Sequence, residues 1–199
     1  MSTEQKAIYY ITGEKEDNLR RSPLLEMYRD KDIEVLIMDD ELDEIVIPSV
    51  GKYKDRELKS VNRSDAADDL KSEKDKESEK EITPLIGRIK DVLKDRVKDV
   101  KASTRLSDSP SCIVADENDP TVQMQGILKA MGKADLGSIK PILEINPNHA
   151  IVKKMNALSD SAIFEDICSL LFEQAMLVEG VRLENPAGFV KRINSIMEK

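Results

Sequence analysis

The chain of 199 residues carries 31 basic and 39 acidic side chains, for a formal charge of -8, with 40% hydrophobic and 35% charged residues. That length suits one large domain or two small ones, and that apolar content is enough for packed cores, which excludes a disordered chain. Because its Lys and Arg are interleaved with acids, neither a nucleic-acid backbone nor an anionic membrane surface is expected as a partner.

Taken in chain order, Ala7 to Ile11 (AIYYI) reads as a buried strand with almost nothing ahead of it, an abrupt start expected of a piece of a longer protein. The opening MSTEQK has no basic-then-apolar signal and no apolar run approaches a membrane span, so a cytoplasmic location is expected. Ser22 is placed to cap a helix with Pro23 in its first turn. Residues 33 to 38, IEVLIM, form a β-branched and apolar run, Glu34 apart, of the kind found in strands covered on both faces. ELDEIVI follows as a short helix and RELKSV as another strand, which together make α/β layering.

From Asn62 to Glu81 the only large apolar residue is Leu70, and pairs such as Glu73/Lys76 and Glu77/Lys80 lie at i,i+3, a spacing that a solvated helix would use. Thr83 is then expected to cap a helix with Pro84 in its first turn and Leu85, Ile86, Ile89, Val92, Leu93 and Val97 on one apolar face. VKDVKAS, SCIVA and ILEI read as strands, and Asn146-Pro147 opens a helix. Ser159 or Asp160 should cap a long helix carrying Ile163, Ile167, Leu170, Leu171, Ala175 and Val178 and stopped by Gly180. Asn185-Pro186 starts the last helix, with Phe189, Val190, Ile193, Ile196 and Met197 at helical spacing. The expected fold is α/β followed by α+β, with one domain over residues 1–70, a charged linker over 71–81 and a second domain over 82–199.

Little in the sequence resembles a catalytic site. Asp39-Asp40 ends a strand, where open sheets place ligands, and a Mg²⁺-dependent hydrolase or phosphotransferase using this pair is the alternative reading; capping of the next helix is the simpler one. No glycine-rich phosphate loop is present. His149, the single histidine, falls in the first turn of an expected helix, which favours a structural hydrogen bond over general-base chemistry. Cys112 and Cys168 lie in apolar stretches without CxxC spacing and read as reduced core residues. In DPTVQMQGILKAMG, Met124, Ile127, Leu128 and Met131 make a narrow stripe on a helix weakened by Gly126 and flanked by Gly132 and Gly137. Periodicity alone reads it as core, whereas methionine also recurs on surfaces that accept many partners.

AIYYITGE, SPLLE, DRVKDVKASTRLSDSPSCIV, LEINPNH, LLFEQAMLVEG and ENPAGFVKRINSIM, in this order and spacing, resemble the C-terminal part of the ninety-kilodalton heat-shock chaperone family in its bacterial form. The resemblance covers nearly the whole chain. It implies that residues 1 to about 70 end the family's middle domain, and that the C-terminal dimerization domain follows. ATP and Mg²⁺ would belong to an N-terminal ATPase domain, so no cofactor and no catalysis are expected of this stretch.

By the same resemblance the chain is expected to be a homodimer, joined in a four-helix bundle by its last two helices through Ile167, Leu170, Leu171, Ala175, Val178, Phe189, Val190, Ile193 and Met197. The methionine stripe aligns with the family's exposed helix for unfolded clients, which reverses the core reading. A second client-contact region maps to Glu44 and Ile45, the latter in place of an aromatic residue. Pro120 departs from the family's apolar residue there and is expected to shorten the client surface. The ending IMEK lacks the acidic MEEVD tail of eukaryotic cytosolic members.

Overall fold

The computed structural model describes residues 5–133 and 139–198. The first elements are β1 (Ile8–Thr12), α1 (Glu16–Arg20), α2 (Glu26–Asp30), β2 (Val35–Met38), α3 (Asp43–Val50), β3 (Lys52–Tyr53) and β4 (Arg56–Ser60). They are followed by α4 (Glu73–Leu93), β5 (Asp99–Ala102), β6 (Ser111–Val114), α5 (Val122–Ala130), β7 (Ile142–Ile145), α6 (Ala150–Asn156), α7 (Ser161–Val178) and α8 (Pro186–Met197). The fold is mixed α/β. One compact unit takes the described residues through Lys71 together with those from Val114 to Ile139, and the other takes Ser72–Ile113 and the residues from Lys140 onward.

In the first unit a four-stranded sheet runs in the order β2-β1-β4-β3, with β1 parallel to both β2 and β4 and β3 antiparallel to β4. Central β1 buries Tyr9, Tyr10, Ile11 and Thr12, so both of its faces are covered. The IEVLIM strand differs from its expectation: β2 lies at the sheet edge with Leu36 47% exposed, because an apolar run reports hydrophobicity and not position in the sheet. Tyr28 from α2 packs on Tyr9 with ring centroids 4.9 Å apart. Ser22 accepts from the Leu24 amide and opens a 3-10 turn at Pro23–Leu25 that leads into α2. Beyond β4, the buried Asn62 side chain accepts from the Thr12 amide (3.2 Å) and donates to the Thr12 carbonyl (3.4 Å), which closes the sheet's end without exposing those groups.

In the second unit the sheet order is β5-β7-β6, with β5 parallel to β7. All four residues of β6 and of β7 are buried, and α4 packs on β5 and α7. Here the sequence misplaced a helix start. α4 is capped by Ser72, whose hydroxyl and backbone form a reciprocal capping box with Asp75, about three turns before Thr83. Thr83 instead donates its hydroxyl to the Glu79 carbonyl within the helix, and Pro84 is interior. The charged stretch therefore belongs to the helix, with Lys76 paired to Glu73 at 2.6 Å. Ile82, Leu85, Ile89 and Leu93 form its buried face.

Two further expectations hold. Cys112 and Cys168 are free and buried, and His149 Nδ1 accepts from the Ile151 amide as the cap of α6. Asp160, not Ser159, caps α7, with Oδ1 accepting from Ala162 and Ile163. Gly180 ends that helix region at φ +77°, a conformation that glycine adopts at little cost.

Candidate interaction surfaces

Asp39 and Asp40 are both exposed. Asp40 Oδ1 accepts from the Leu42 amide (2.9 Å), and Asp43 Oδ2 accepts from the Asp40 amide (3.4 Å), so Asp40 and Asp43 shape the entry to α3. Among the described residues no group of three His, Cys, Asp or Glu side chains is arranged to hold a metal ion. These bonds are those of a helix-entry cap, and no observation at the pair favours the hydrolase reading over it.

Within the first unit, the segment leading into α5 is held by Asn62 to Ser64. The Ala115 amide donates to the Asn62 carbonyl and the Ser64 amide to the Ala115 carbonyl, each at 2.9 Å. Arg63 Nη1 donates to the carbonyls of Asp116 (3.2 Å), Glu117 (2.6 Å) and Asp119 (3.0 Å), which fixes the loop before the helix. Thr121 then caps α5 by accepting from the Met124 amide at 3.1 Å, so the helix starts after Asp119-Pro120 and not at them.

No residue of α5 itself is buried. Met124, Ile127 and Leu128 are half-buried and Met131 is 63% exposed, so the stripe faces outward over part of its width. A Cβ at Gly126 would meet open space. Gly132 has φ +75°, and Gly137 lies outside the described residues. α3 packs beside α5 and leaves Leu42, Ile45, Val46 and Val50 exposed. Glu44, in contrast, is only 6% exposed and accepts a hydrogen bond from the Thr121 hydroxyl. Burial pushes the Tyr10 phenol up, the Glu44 charge adds to that, and Arg63 opposes it, so these polar groups share one neighbourhood.

The second surface belongs to α7 and α8. The inward face of α7 is Phe164, Cys168, Leu171, Phe172 and Ala175, which places Leu171 and Ala175 in the core of their own unit. Ile167 and Leu170 are half-buried, and Val178 is exposed together with Leu177. α8 packs on α7 yet buries none of its own residues: Phe189 and Ile193 are half-buried, Val190 is 53% exposed and Met197 is 80% exposed.

An ion cluster fixes the pair. Buried Glu173 accepts from Arg192 of α8 (2.6 Å to Oε2) and from Arg96 (3.0 Å), and Arg96 also lies over the Phe172 ring at 4.7 Å. Neither Glu173 nor Arg192 was marked by sequence reading. Glu165 and Asp166 on α7 and Lys191 on α8 are charged as well, so charge alone did not single them out.

The family model described as Hsp90 protein matches residues 1–199. The chain is 51% identical to the chaperone protein HtpG of Treponema denticola over 99% of its length and 31% of that relative. It is 45% identical to HtpG of Treponema pallidum, over 100% of this chain and 32% of the relative. Against HtpG of Legionella pneumophila (strain Paris) identity is also 45%, over 99% of this chain and 32% of the relative. The chain thus spans about a third of the length of the curated relatives it matches. Among the described residues no helix is long and apolar enough to cross a membrane. With the family model spanning every residue, the chain belongs to the Hsp90 family of chaperones.

Proposed function

We propose that this chain is the self-associating, client-binding portion of a bacterial Hsp90-family chaperone, and that it forms a homodimer through α7 and α8. The observation that carries the reading is α8, an apolar-faced helix with no buried residue in the single chain. Two α7–α8 pairs related by a two-fold axis would make a four-helix bundle. The outer face of α7 (Ile163, Ile167, Leu170, Leu177 and Val178) would then meet Phe189, Val190, Ile193 and Met197 of α8. Gel filtration coupled to light scattering tests this: twice the 22.4 kDa chain mass is expected at micromolar concentration. A single-chain mass there overturns it.

The second function follows from α5 and α3, whose exposed Met131, Leu42, Ile45, Val46 and Val50 suit apolar stretches of an unfolded or partly folded protein. ATP binding and hydrolysis are assigned to parts of the chaperone beyond this stretch, since this one supplies no phosphate loop. ATP turnover by the purified chain above that of a heat-treated control would sink that assignment.

A further inference from the structure

Glu44 and Thr121 are separated by 77 positions, yet the Thr121 hydroxyl donates to Glu44 Oε1. The Thr121 hydroxyl oxygen itself accepts from the Met124 amide as the cap of α5. A hydroxyl has one proton and two lone pairs; here the proton goes to Glu44 and a lone pair to the helix. Donating to a carboxylate polarises the oxygen and makes it the better acceptor. The Glu44 charge also sits beside the N-terminal end of α5, where the helix dipole favours an anion. Glu44 is buried, so it has little surface to offer a client, while its neighbours Leu42, Ile45 and Val46 are exposed.

From this geometry we propose that Glu44 is a positioning residue for α5: it locks α3 and α5 into one apolar surface for an unfolded polypeptide, and does not touch the polypeptide itself. The proposal rests on the reading of α5 as a client surface and adds how that surface is assembled. Ile45, Val46 and the methionine stripe then act as one unit, because the buried Glu44–Thr121 bond joins the helices that carry them.

Amide hydrogen exchange read by mass spectrometry on the whole chain, together with binding of reduced, carboxymethylated α-lactalbumin as an unfolded probe, tests it. Thr121→Val should speed exchange of Val122–Ala130 by roughly fivefold, the change expected from loss of one cap; Glu44→Ala, which keeps the cap and loses only the bond behind it, should speed it by a smaller factor, and both should leave β1 and β4 protected. Both should weaken probe binding. The double variant should be no worse than Thr121→Val, and Thr121→Ser, which keeps the hydroxyl, should match the parent. If Glu44→Ala abolishes binding with α5 exchange unchanged, Glu44 is a direct contact and the proposal is overturned. Faster exchange with full binding overturns it equally. Met124→Ser with Leu128→Ser separates the two readings: if that variant binds the probe like the parent, α5 is no client surface, whatever its exchange rate.

Discussion

Arg105 and Glu144 form an ion pair inside the second unit, with Arg105 Nε 2.9 Å from Glu144 Oε2 and their side chains 0% and 6% exposed. The same carboxylate oxygen accepts from the Ser103 hydroxyl at 2.8 Å, and Arg105 Nη2 reaches Oε1 at 3.2 Å. Glu144 lies on β7 and Arg105 on the connection between β5 and β6, so the pair ties that connection to the middle strand of the sheet. Glu144→Ala removes the carboxylate that balances a guanidinium held out of water. Glu144→Ala is expected to cost about 3–5 kcal/mol, and Glu144→Gln somewhat less because the amide oxygen still accepts. Urea denaturation of the second unit checks this; a loss below 1 kcal/mol for Glu144→Ala would show that the pair contributes little to stability.

Cys168 gives a prediction in pH. Burial pushes its thiol up to about 12, with nearby Arg88 pulling the other way. A thiol whose folded pKa is raised holds its proton more tightly folded than unfolded. Its contribution is fully present below the unfolded pKa, about 8.5, and is lost as pH rises from there toward 12. The second unit should therefore lose stability by up to about 1.4 kcal/mol per pH unit in that window. Cys168→Ala should have a shallower alkaline slope even where it is less stable at neutral pH. A thiol reagent at pH 8 should label Cys168 only after urea is added; rapid labelling of the native chain would contradict its burial.

How far the sequence could be read depended on which information a stretch carried locally. The start of α7 at Ser159 or Asp160 and its stop at Gly180 were local signals and were legible, although which of the two capped it was not. The start of α4 was not, because Thr83-Pro84 satisfies the rule for a first turn while Ser72 with Asp75 satisfies a stronger, reciprocal one. On α7 both sides are apolar, so spacing could not decide which would face the chain's own core: Leu171 turned inward and Leu170 only partly. The link between Glu44 and Thr121 was beyond reach, since no spacing rule connects side chains on two separate helices so far apart in sequence.

The methionine stripe separates a surface role from a core role by energy. Truncating a large core side chain costs about 2–5 kcal/mol, and Leu143, fully buried on β7, should behave so when changed to Ala. Met124 and Leu128 are only half-buried on a helix with no buried residue. Changing both to Ser should cost less than about 2 kcal/mol together and lower the melting temperature by less than about 8 °C. Unfolding of the double variant at 25 °C would return the stripe to the core.

The self-association of α7 and α8 can be tested at positions that the single chain does not need. Val190 and Ile193 are not buried within one chain, so Asp at both leaves the unit's own core untouched. In a two-fold bundle each substitution counts twice, which puts four carboxylates into an apolar seam, each costing several kcal/mol unless it takes up a proton. An obligate interface of roughly 2,000 Å² would not survive that. The variant should run at a single chain mass at micromolar concentration with an unchanged circular dichroism spectrum. Leu171→Asp is the contrasting case, because Leu171 faces inward with Phe164, Cys168 and Phe172 and its replacement should unfold the second unit. Glu173 with Arg192 and Arg96 would still hold α8 against α7 in the Val190/Ile193 variant, so loss of the dimer there would report the interface and not the loss of α8. A Val190→Asp/Ile193→Asp chain that still runs at twice the chain mass would show that the copies meet elsewhere.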